Sequence, residues 1–167
     1  MIELDIPGRG RFVIKNLILD LNGTLVLDGK IIEGVAERLQ MLSREVNIFI
    51  VTADTRGLAE KAVKELEGEL TTGERAFSIN LCKVEKGKEN IQKMELVQNL
   101  GNNETISIGN GSNDSLMLME STIGICVAGK EGASVDALIS ADIVTFDIND
   151  TLDLLLVPER IVATLRK

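Results

Sequence analysis

One stretch decides the fold that we expect of this chain: Asn16-Leu17-Ile18-Leu19-Asp20-Leu21-Asn22-Gly23-Thr24-Leu25. Its first half is an apolar run typical of a buried β-strand, and the run ends on the carboxylate of Asp20. Gly23 and Thr24 follow, a pairing typical of a tight turn. A carboxylate at the end of a buried strand is a candidate nucleophile, and Asn22 stands two residues after it.

Short apolar runs alternate with segments of helical spacing along the rest of the chain. The later strands are predicted at residues 46–52, 77–84, 105–108, 123–127 and 143–146. The helices are predicted at residues 33–44, 56–67, 90–100, 113–120, 134–139 and 151–166, the last interrupted at Pro158. This alternation predicts an α/β fold with a three-layer, doubly wound and mostly parallel sheet.

Two short hairpins complete the predicted fold. Pro7-Gly8-Arg9-Gly10 separates two strand-like runs near the N-terminus, and Asp28-Gly29 separates two more. The second hairpin follows the Asp20 strand closely, so we expect it to form a small flap beside the end of that strand. No linker, repeat or low-complexity segment interrupts the pattern, and we expect a single domain over residues 1–167.

Composition excludes several classes of function. A net charge of −8 argues against binding to nucleic acid, whose affinity for proteins comes mainly from Lys and Arg. The chain has no His, so a His base or a Ser–His pair is excluded. No apolar run approaches the roughly 20 residues that span a bilayer, and the N-terminus lacks signal-peptide features. We therefore expect a cytoplasmic protein that binds neither membranes nor nucleic acids.

Polar residues follow three of the predicted strands. Ligands bind at the carboxyl ends of the strands in a doubly wound sheet, so these residues are expected to meet at one edge. The three segments are Asp20-Leu21-Asn22-Gly23-Thr24, Thr52-Ala53-Asp54 and Gly109-Asn110-Gly111-Ser112-Asn113-Asp114. A carboxylate nucleophile, a hydroxyl and a second carboxylate, joined by a lysine, form a set suited to phosphoryl transfer with Mg²⁺.

Taken in order, these segments resemble the motifs of the haloacid dehalogenase (HAD) superfamily. The first resembles its D-x-D-G-T-L motif, Thr52 its second motif, and the third its G-D-G-x-N-D motif. The resemblance covers about residues 16–127. Thr52-Ala53-Asp54 and the end of the third segment are most similar to the phosphorylation domain of P-type ATPases, which indicates the soluble, P-type-ATPase-like branch.

The resemblance implies a role for each motif residue. Asp20 would attack phosphorus and form an aspartyl-phosphate, while Thr52 would hold a phosphoryl oxygen. The further phosphate contacts it implies are Thr24, Ala53 and a lysine. Mg²⁺ would be held by Asp20, the Asn22 backbone carbonyl and Asp114, with Asn110 as a further possible ligand.

The site lysine is predicted to be Lys93, with Lys88 as the alternative. Apolar residues follow Lys93 at the third, fourth and seventh positions, which is similar to the motif helix of the family. Two simpler interpretations stay open, namely that Lys93 is a solvated helix residue and that Asp54 only caps the helix that follows it.

Two positions depart from the motifs. Asn22 replaces the carboxylate that protonates the leaving group and activates water, and losing such help typically costs 10²–10⁴-fold in rate. Asn110 removes a negative charge beside the expected metal, so weaker Mg²⁺ binding is expected. Only 27 residues separate Thr24 from Thr52, which leaves no room for a cap domain or for the nucleotide-binding domain of P-type ATPases.

These observations predict a slow, Mg²⁺-dependent phosphatase-like hydrolase that works through an aspartyl-phosphate on Asp20. Its open site would accept a phosphorylated small molecule or a phosphoprotein, or be covered by another subunit of a homo-oligomer. A second hypothesis is a non-catalytic binding or regulatory protein with the same fold. A third is a phosphorylation module that acts with another protein supplying the nucleotide.

Overall fold

The structure is a computed structural model that describes residues 1–54, 57–68 and 78–167. The strands in chain order are β1 (Ile2–Ile6), β2 (Gly10–Ile14), β3 (Asn16–Asp20), β4 (Val26–Leu27), β5 (Lys30–Ile31), β6 (Asn47–Thr52), β7 (Asn80–Lys83), β8 (Thr105–Gly109), β9 (Ile123–Val127) and β10 (Ile143–Thr145). The α-helices are α1 (Val35–Leu42), α2 (Leu58–Gly68), α3 (Glu89–Leu100), α4 (Ser115–Glu120), α5 (Val135–Ser140), α6 (Ile148–Leu156) and α7 (Glu159–Leu165).

A parallel sheet of six strands forms the centre of the molecule, in the order β10-β9-β8-β3-β6-β7. Strand β3 is buried along its whole length, because helices cover both faces of the sheet. Leu17 and Leu19 pack on one face with Leu39 of α1. Ile18, between them, packs on the other face with Val97 of α3. The alternation confirms the three-layer, doubly wound fold.

The strand order reverses at β3. The chain runs from β3 outward to β6 and β7, then returns to β8 on the opposite side of β3 and continues to β9 and β10. Ligands bind at such a switch point in doubly wound sheets. The ends of β3, β6 and β8 therefore bring the three polar segments together at one edge.

Both predicted hairpins are present. Strands β1 and β2 pair antiparallel, and β4 and β5 form a short antiparallel flap between β3 and α1. The flap turns through Asp28 at φ 50° and Gly29 at φ 78°, as a two-residue hairpin turn requires. Apart from this flap, no insertion between the described sheet strands is large enough to form a cap domain.

The starts of α1 and α6 differ from the predictions for reasons that the structure shows. Helix α1 begins after Gly34, whose φ of 86° is left-handed and cannot belong to a right-handed helix. The predicted helix at 151–166 begins earlier, at Ile148, because the Asp147 carboxylate accepts hydrogen bonds from the first-turn N–H groups. The chain breaks near Pro158, as expected, and α7 follows.

Two predicted boundaries, at residues 56 and 77, lie outside the described residues. Within the described ranges, no helix combines the length and apolarity that crossing a bilayer requires.

Candidate active site

Asp20 ends β3 at the centre of the switch point. It pairs in register with Val51 of β6, and its neighbour Leu19 pairs with Ile108 of β8. The residue is only 8% exposed. The central position of β3 therefore holds a nearly buried carboxylate at the edge where ligands bind, as the sequence predicts.

Lys93 is the partner of this carboxylate. It lies on the face of α3 that packs against the sheet, and it is 1% exposed. Its Nζ donates to Asp20 Oδ1 and to Asp114 Oδ1, both at 2.6 Å. Burial alone lowers the pKa of Lys93, but the two carboxylates outweigh burial and raise that pKa above its ordinary value.

The alternative lysine lies elsewhere. Lys88 is exposed and pairs with Glu85, before α3 begins, so the structure places Lys93 and not Lys88 beside Asp20. Because Lys93 is buried, the simpler interpretation that it is a solvated helix residue is wrong. Lys93 shares a face of α3 with the apolar residues that pack against the sheet, and this brings it to the site.

Asp114 is fully buried and uses both of its oxygens. Oδ1 accepts from Lys93, while Oδ2 accepts from the backbone N–H groups of Asn110 at 3.0 Å and Gly111 at 2.8 Å. A Cβ on Gly109 would lie 2.5 Å from Oδ2, so a glycine at the end of β8 leaves room for the carboxylate. These bonds fix Lys93 and the turn after β8, and the metal contact expected of Asp114 stays a prediction.

The Lys93 ammonium therefore forms ion pairs with two buried carboxylates, those of Asp20 and Asp114. Burial, followed by the charge of Asp114, raises the pKa of Asp20 to about 7, against the opposing charge and hydrogen bond of Lys93 and a backbone hydrogen bond from Leu21. In the absence of other cations, the candidate nucleophile is thus near the middle of its titration at neutral pH.

A cavity of about 370 Å³ opens above these groups. Its lining includes residues from the ends of β3, β6, β8 and β9, together with Lys93. The lining residues are Asp20, Asn22, Thr52, Ala53, Asp54, Lys93, Asn110, Gly111, Asn113 and Glu131. The structure therefore brings most of the predicted site residues around one space.

Thr52 and Asp54 form the β6 side of the cavity. Thr52 is 2% exposed, and its Oγ1 accepts from the Asp54 N–H at 3.2 Å. Asp54 Oδ2 accepts from the N–H of Ala59 at 2.7 Å, near the start of α2. Asp54 thus contacts the start of this helix, as the simpler interpretation of its role expects.

Asn110 connects two loops. Its Oδ1 accepts from Thr24 Oγ1 at 3.3 Å, and its Nδ2 donates to the Gly132 carbonyl at 3.2 Å. The Thr24 hydroxyl therefore faces Asn110 within the protein, and Thr24 does not line the 370 Å³ cavity. The phosphate contact expected of Thr24 stays a prediction.

A second cavity, of about 470 Å³, lies under the flap. Gly23 and Thr24 line one side of it, next to the loop that carries Asn22. Much of the lining is apolar, including Ile31 of β5 and Phe146 after β10. Two lysines, Lys30 and Lys130, line it together with three acidic residues, Asp28, Glu33 and Asp147. The cavity therefore suits an organic group that is largely apolar.

The residues present fit a hard divalent cation. Mg²⁺ binds oxygen ligands and usually needs only one or two carboxylates with water and phosphate. Asp20, Asn22 and Asn110 supply such oxygens at one side of the cavity. Within the described residues, no group of three or more acidic, Cys or His side chains is placed to hold a metal. Amide or carbonyl oxygens, water and phosphate would therefore complete the coordination.

Glu131 is a lining residue that sequence reasoning missed. It belongs to the loop between β9 and α5, at the end of a further strand of the same sheet. The signal was available, because Lys130-Glu131-Gly132 is another polar segment after a buried strand. It resembles no HAD motif, so the motifs alone do not indicate it.

No known protein-family profile matches the chain. Two relatives come from Methanocaldococcus jannaschii. Uncharacterized protein MJ0073 is 48% identical over 84 residues, which are 48% of this chain and 90% of that protein. Uncharacterized protein MJ0072 is 55% identical over 42 residues, which are 25% of this chain and 96% of that protein.

Several solved structures with the same fold are described as phosphatases or hydrolases. The 3-deoxy-D-manno-octulosonate 8-phosphate phosphatase of Moraxella catarrhalis, solved with magnesium and phosphate ions, has a TM-score of 0.63 and 18% identity, covering 92% of this chain and 94% of its own. A Legionella pneumophila protein assigned to HAD subfamily III A has a TM-score of 0.64 and 18% identity, covering 91% and 87%. A phosphoserine phosphatase has a TM-score of 0.64 and 15% identity, covering 85% and 99%. The chain therefore has the fold of the HAD superfamily hydrolases, and it belongs to the same family as MJ0073.

Proposed function

We propose that this protein is a Mg²⁺-dependent phosphatase-like hydrolase that forms an aspartyl-phosphate on Asp20. The observation that carries the proposal is the placement of Asp20, paired with buried Lys93, in a cavity that Thr52 also lines. The phosphatases among the structural neighbours support the same class of reaction. The similarity of the motifs to P-type ATPases supports placing the chain in the soluble, P-type-ATPase-like branch.

Each side chain has a proposed part in the reaction. The Asp20 carboxylate attacks phosphorus, and the bond from phosphorus to the leaving-group oxygen breaks. Lys93 offsets the negative charge around the phosphoryl group, while Thr52 and the Ala53 backbone contact its oxygens. Asp114 is a positioning residue, because its hydrogen bonds hold Lys93 and the Asn110 loop.

Mg²⁺ would be held by Asp20, the Asn22 backbone carbonyl, Asn110 and Asp114, and Asp114 also fixes the loop behind them. When bound, such an ion neutralises charge on the transferring phosphoryl group. An additional cation next to Asp20 also favours the ionised carboxylate, which the nucleophile needs.

The substrate class follows from the two cavities. The 370 Å³ cavity takes the phosphoryl group, and the neighbouring 470 Å³ cavity takes the organic part of a phosphorylated small molecule. The lining of the larger cavity carries charges of both signs among apolar side chains, which favours an organic part that is largely apolar. A phosphoprotein substrate would have to place its single phosphorylated side chain in these cavities. We place the protein in the cytoplasm, where a second subunit of a homo-oligomer would cover the open site.

The test is Mg²⁺-dependent labelling of the protein by radiolabelled acetyl phosphate. We expect acid-stable, hydroxylamine-sensitive label on wild type and at least a 100-fold loss of phosphate release in Asp20→Asn. Glu159→Gln, a change at an exposed residue of α7, is the control and should label like wild type. Absence of Asp20-dependent label and turnover would refute the proposal.

Asn22 and Asn110 favour a second candidate, a binding protein without turnover. Mg²⁺ with beryllium fluoride separates the two, because this complex mimics a phosphoryl group on a carboxylate. A rise in melting temperature that requires both ions and Asp20 supports phosphoryl acceptance. Binding of a phosphorylated ligand that is equally strong in Asp20→Asn supports the binding protein.

A further inference from the structure

We propose that Glu131 is the proton-transferring carboxylate of this site and does the work that Asn22 cannot do. This inference rests on the proposed function, since it concerns the same reaction. It goes beyond the HAD motifs, because Glu131 lies in the loop after β9 and outside every motif.

The proposed reaction needs a proton carrier that the motif residues do not provide. An amide at Asn22 neither gives a proton to a leaving group nor takes one from water at neutral pH. Lys93 is buried and donates to two carboxylates, so it stays charged. The carrier has to come from another side chain that reaches the cavity.

Glu131 reaches the cavity close to the position of Asn22. It lines the same 370 Å³ space as Asp20, Asn22 and Thr52. Its Oε2 lies 2.5 Å from the point where a Cβ on Gly23 would be, and Gly23 directly follows Asn22. A Cβ at residue 23 would displace this carboxylate, so the glycine leaves room for it.

The other carboxylates of the cavity are already in use. Asp20 accepts from Lys93, and Asp54 accepts from the Ala59 N–H. By contrast, none of the described residues forms a hydrogen bond or an ion pair with the Glu131 carboxylate. Glu131 is also exposed, so water reaches it. A carboxylate that is open to water and lines the same cavity as the nucleophile is suited to proton transfer.

The backbone on either side of Glu131 is held in place. The Gly132 N–H donates to the Gly129 carbonyl at 2.9 Å, and the Gly132 carbonyl accepts from Asn110 Nδ2. The Ser134 N–H donates to the Asn110 carbonyl at 2.9 Å. A carboxylate at residue 110 could not donate to Gly132. Asn110 thus orients the loop that carries Glu131, which gives the second departure from the motifs a structural role.

The proposed chemistry has two steps. In the first, Asp20 displaces the leaving group from phosphorus, and an alkoxide leaving group takes a proton from the Glu131 carboxyl. In the second, water attacks the aspartyl-phosphate, its proton passes to the Glu131 carboxylate, and the bond between phosphorus and the Asp20 oxygen breaks. Asp20 and the protonated Glu131 are restored, and inorganic phosphate leaves.

Acetyl phosphate separates these steps, because acetate leaves without needing a proton. In Glu131→Gln we expect the phosphoenzyme to form at the wild-type rate and to be hydrolysed about 100-fold more slowly, so that label accumulates. Both rates are measured by acid quench after mixing and by a chase with unlabelled acetyl phosphate. A purely structural role for Glu131 would slow both steps together.

A second variant tests the role of Asn22. Adding Asn22→Asp to Glu131→Gln should restore at least 10-fold of the lost hydrolysis rate, since a carboxylate returns to the neighbouring position. Glu159→Gln is the charge-matched control and should keep both rates. Normal labelling with unchanged hydrolysis in Glu131→Gln would overturn this inference and leave the proposed function standing. Absence of Asp20-dependent label in wild type would overturn both.

Discussion

Lys93 is the residue on which the electrostatics of the site depend. Its single charge lies between the carboxylates of Asp20 and Asp114, and all three groups are nearly or fully buried. Burying ions is costly, and removing one partner from such a group leaves an uncompensated charge. The site is therefore stable only while the lysine is present.

Replacing Lys93 by methionine should destabilise the protein at pH 8 by about 3–5 kcal/mol, because two carboxylates would stay buried without a cation. Chemical denaturation with urea measures the change. The loss should be smaller at pH 5, where protonation of Asp20 relieves the repulsion. Lys88→Met, at an exposed lysine, is the matched control. Equal stabilities of the two variants would contradict this account.

Residue chemistry explains which site residues could be predicted from sequence. Asp20, Thr52 and Asn110 follow buried strands in a recognisable order, and Lys93 has a clear helical spacing. The bonds of Thr24 and Asp114 could not be predicted, because they depend on where loops from different strands meet. Glu131 was missed for the same reason, since its approach to Gly23 joins two loops far apart in sequence.

At the scale of elements, the ends of β3 and β8 define the site. Strand β8 is buried throughout and ends on Gly109, and the chain then turns so that Asp114 folds back beneath the cavity. The turn is held by two backbone N–H groups that donate to the Asp114 carboxylate. The geometry of the site thus depends on close packing between this strand end and the turn.

Gly109→Ala tests that dependence. Its Cβ would lie 2.5 Å from Asp114 Oδ2 and 2.8 Å from Asp114 Cβ, so the turn and Lys93 must shift. We expect a loss of about 1–3 kcal/mol in unfolding free energy and slower labelling by acetyl phosphate. Urea denaturation and the labelling assay measure the two effects. Unchanged stability together with an unchanged labelling rate would show that the turn adapts without affecting the site.

A strand or helix can be predicted from sequence when the signal for it lies within its own residues. The six strands of the central sheet were all expected, because apolar runs between turn residues are a local signal. The start of α1 was misplaced since the left-handed conformation of Gly34 is not visible in a helical pattern. The start of α6 was misplaced because Asp147 extends the helix beyond its apolar stripe.

At the scale of the whole molecule, the sheet holds buried charges at the site that lower the stability of the folded protein. Asp20 stands at the end of one of the two central strands, which is buried along its whole length, so a charge is unfavourable there. Burial of Asp20 and its repulsion by Asp114 are only partly offset by Lys93, since the pKa of Asp20 is raised to about 7. Such local instability is common where a protein keeps a reactive group ready for a ligand or substrate.

The last prediction concerns the pH dependence of stability in metal-free protein with EDTA. The folded-state pKa of Asp20, about 7, lies above the ordinary value of 3.8, so between these values the native state holds a proton that the unfolded state has lost. Wild type should therefore lose stability relative to Asp20→Asn as pH rises from 4.5 to 8, on the order of 1–3 kcal/mol. Lys93 does not alter the sign, because its raised pKa acts only in the alkaline range. Urea denaturation of both proteins at pH 4.5, 6 and 8 measures the difference. A difference that stays constant, or that grows in favour of wild type at high pH, would mean that Lys93 keeps Asp20 ionised throughout.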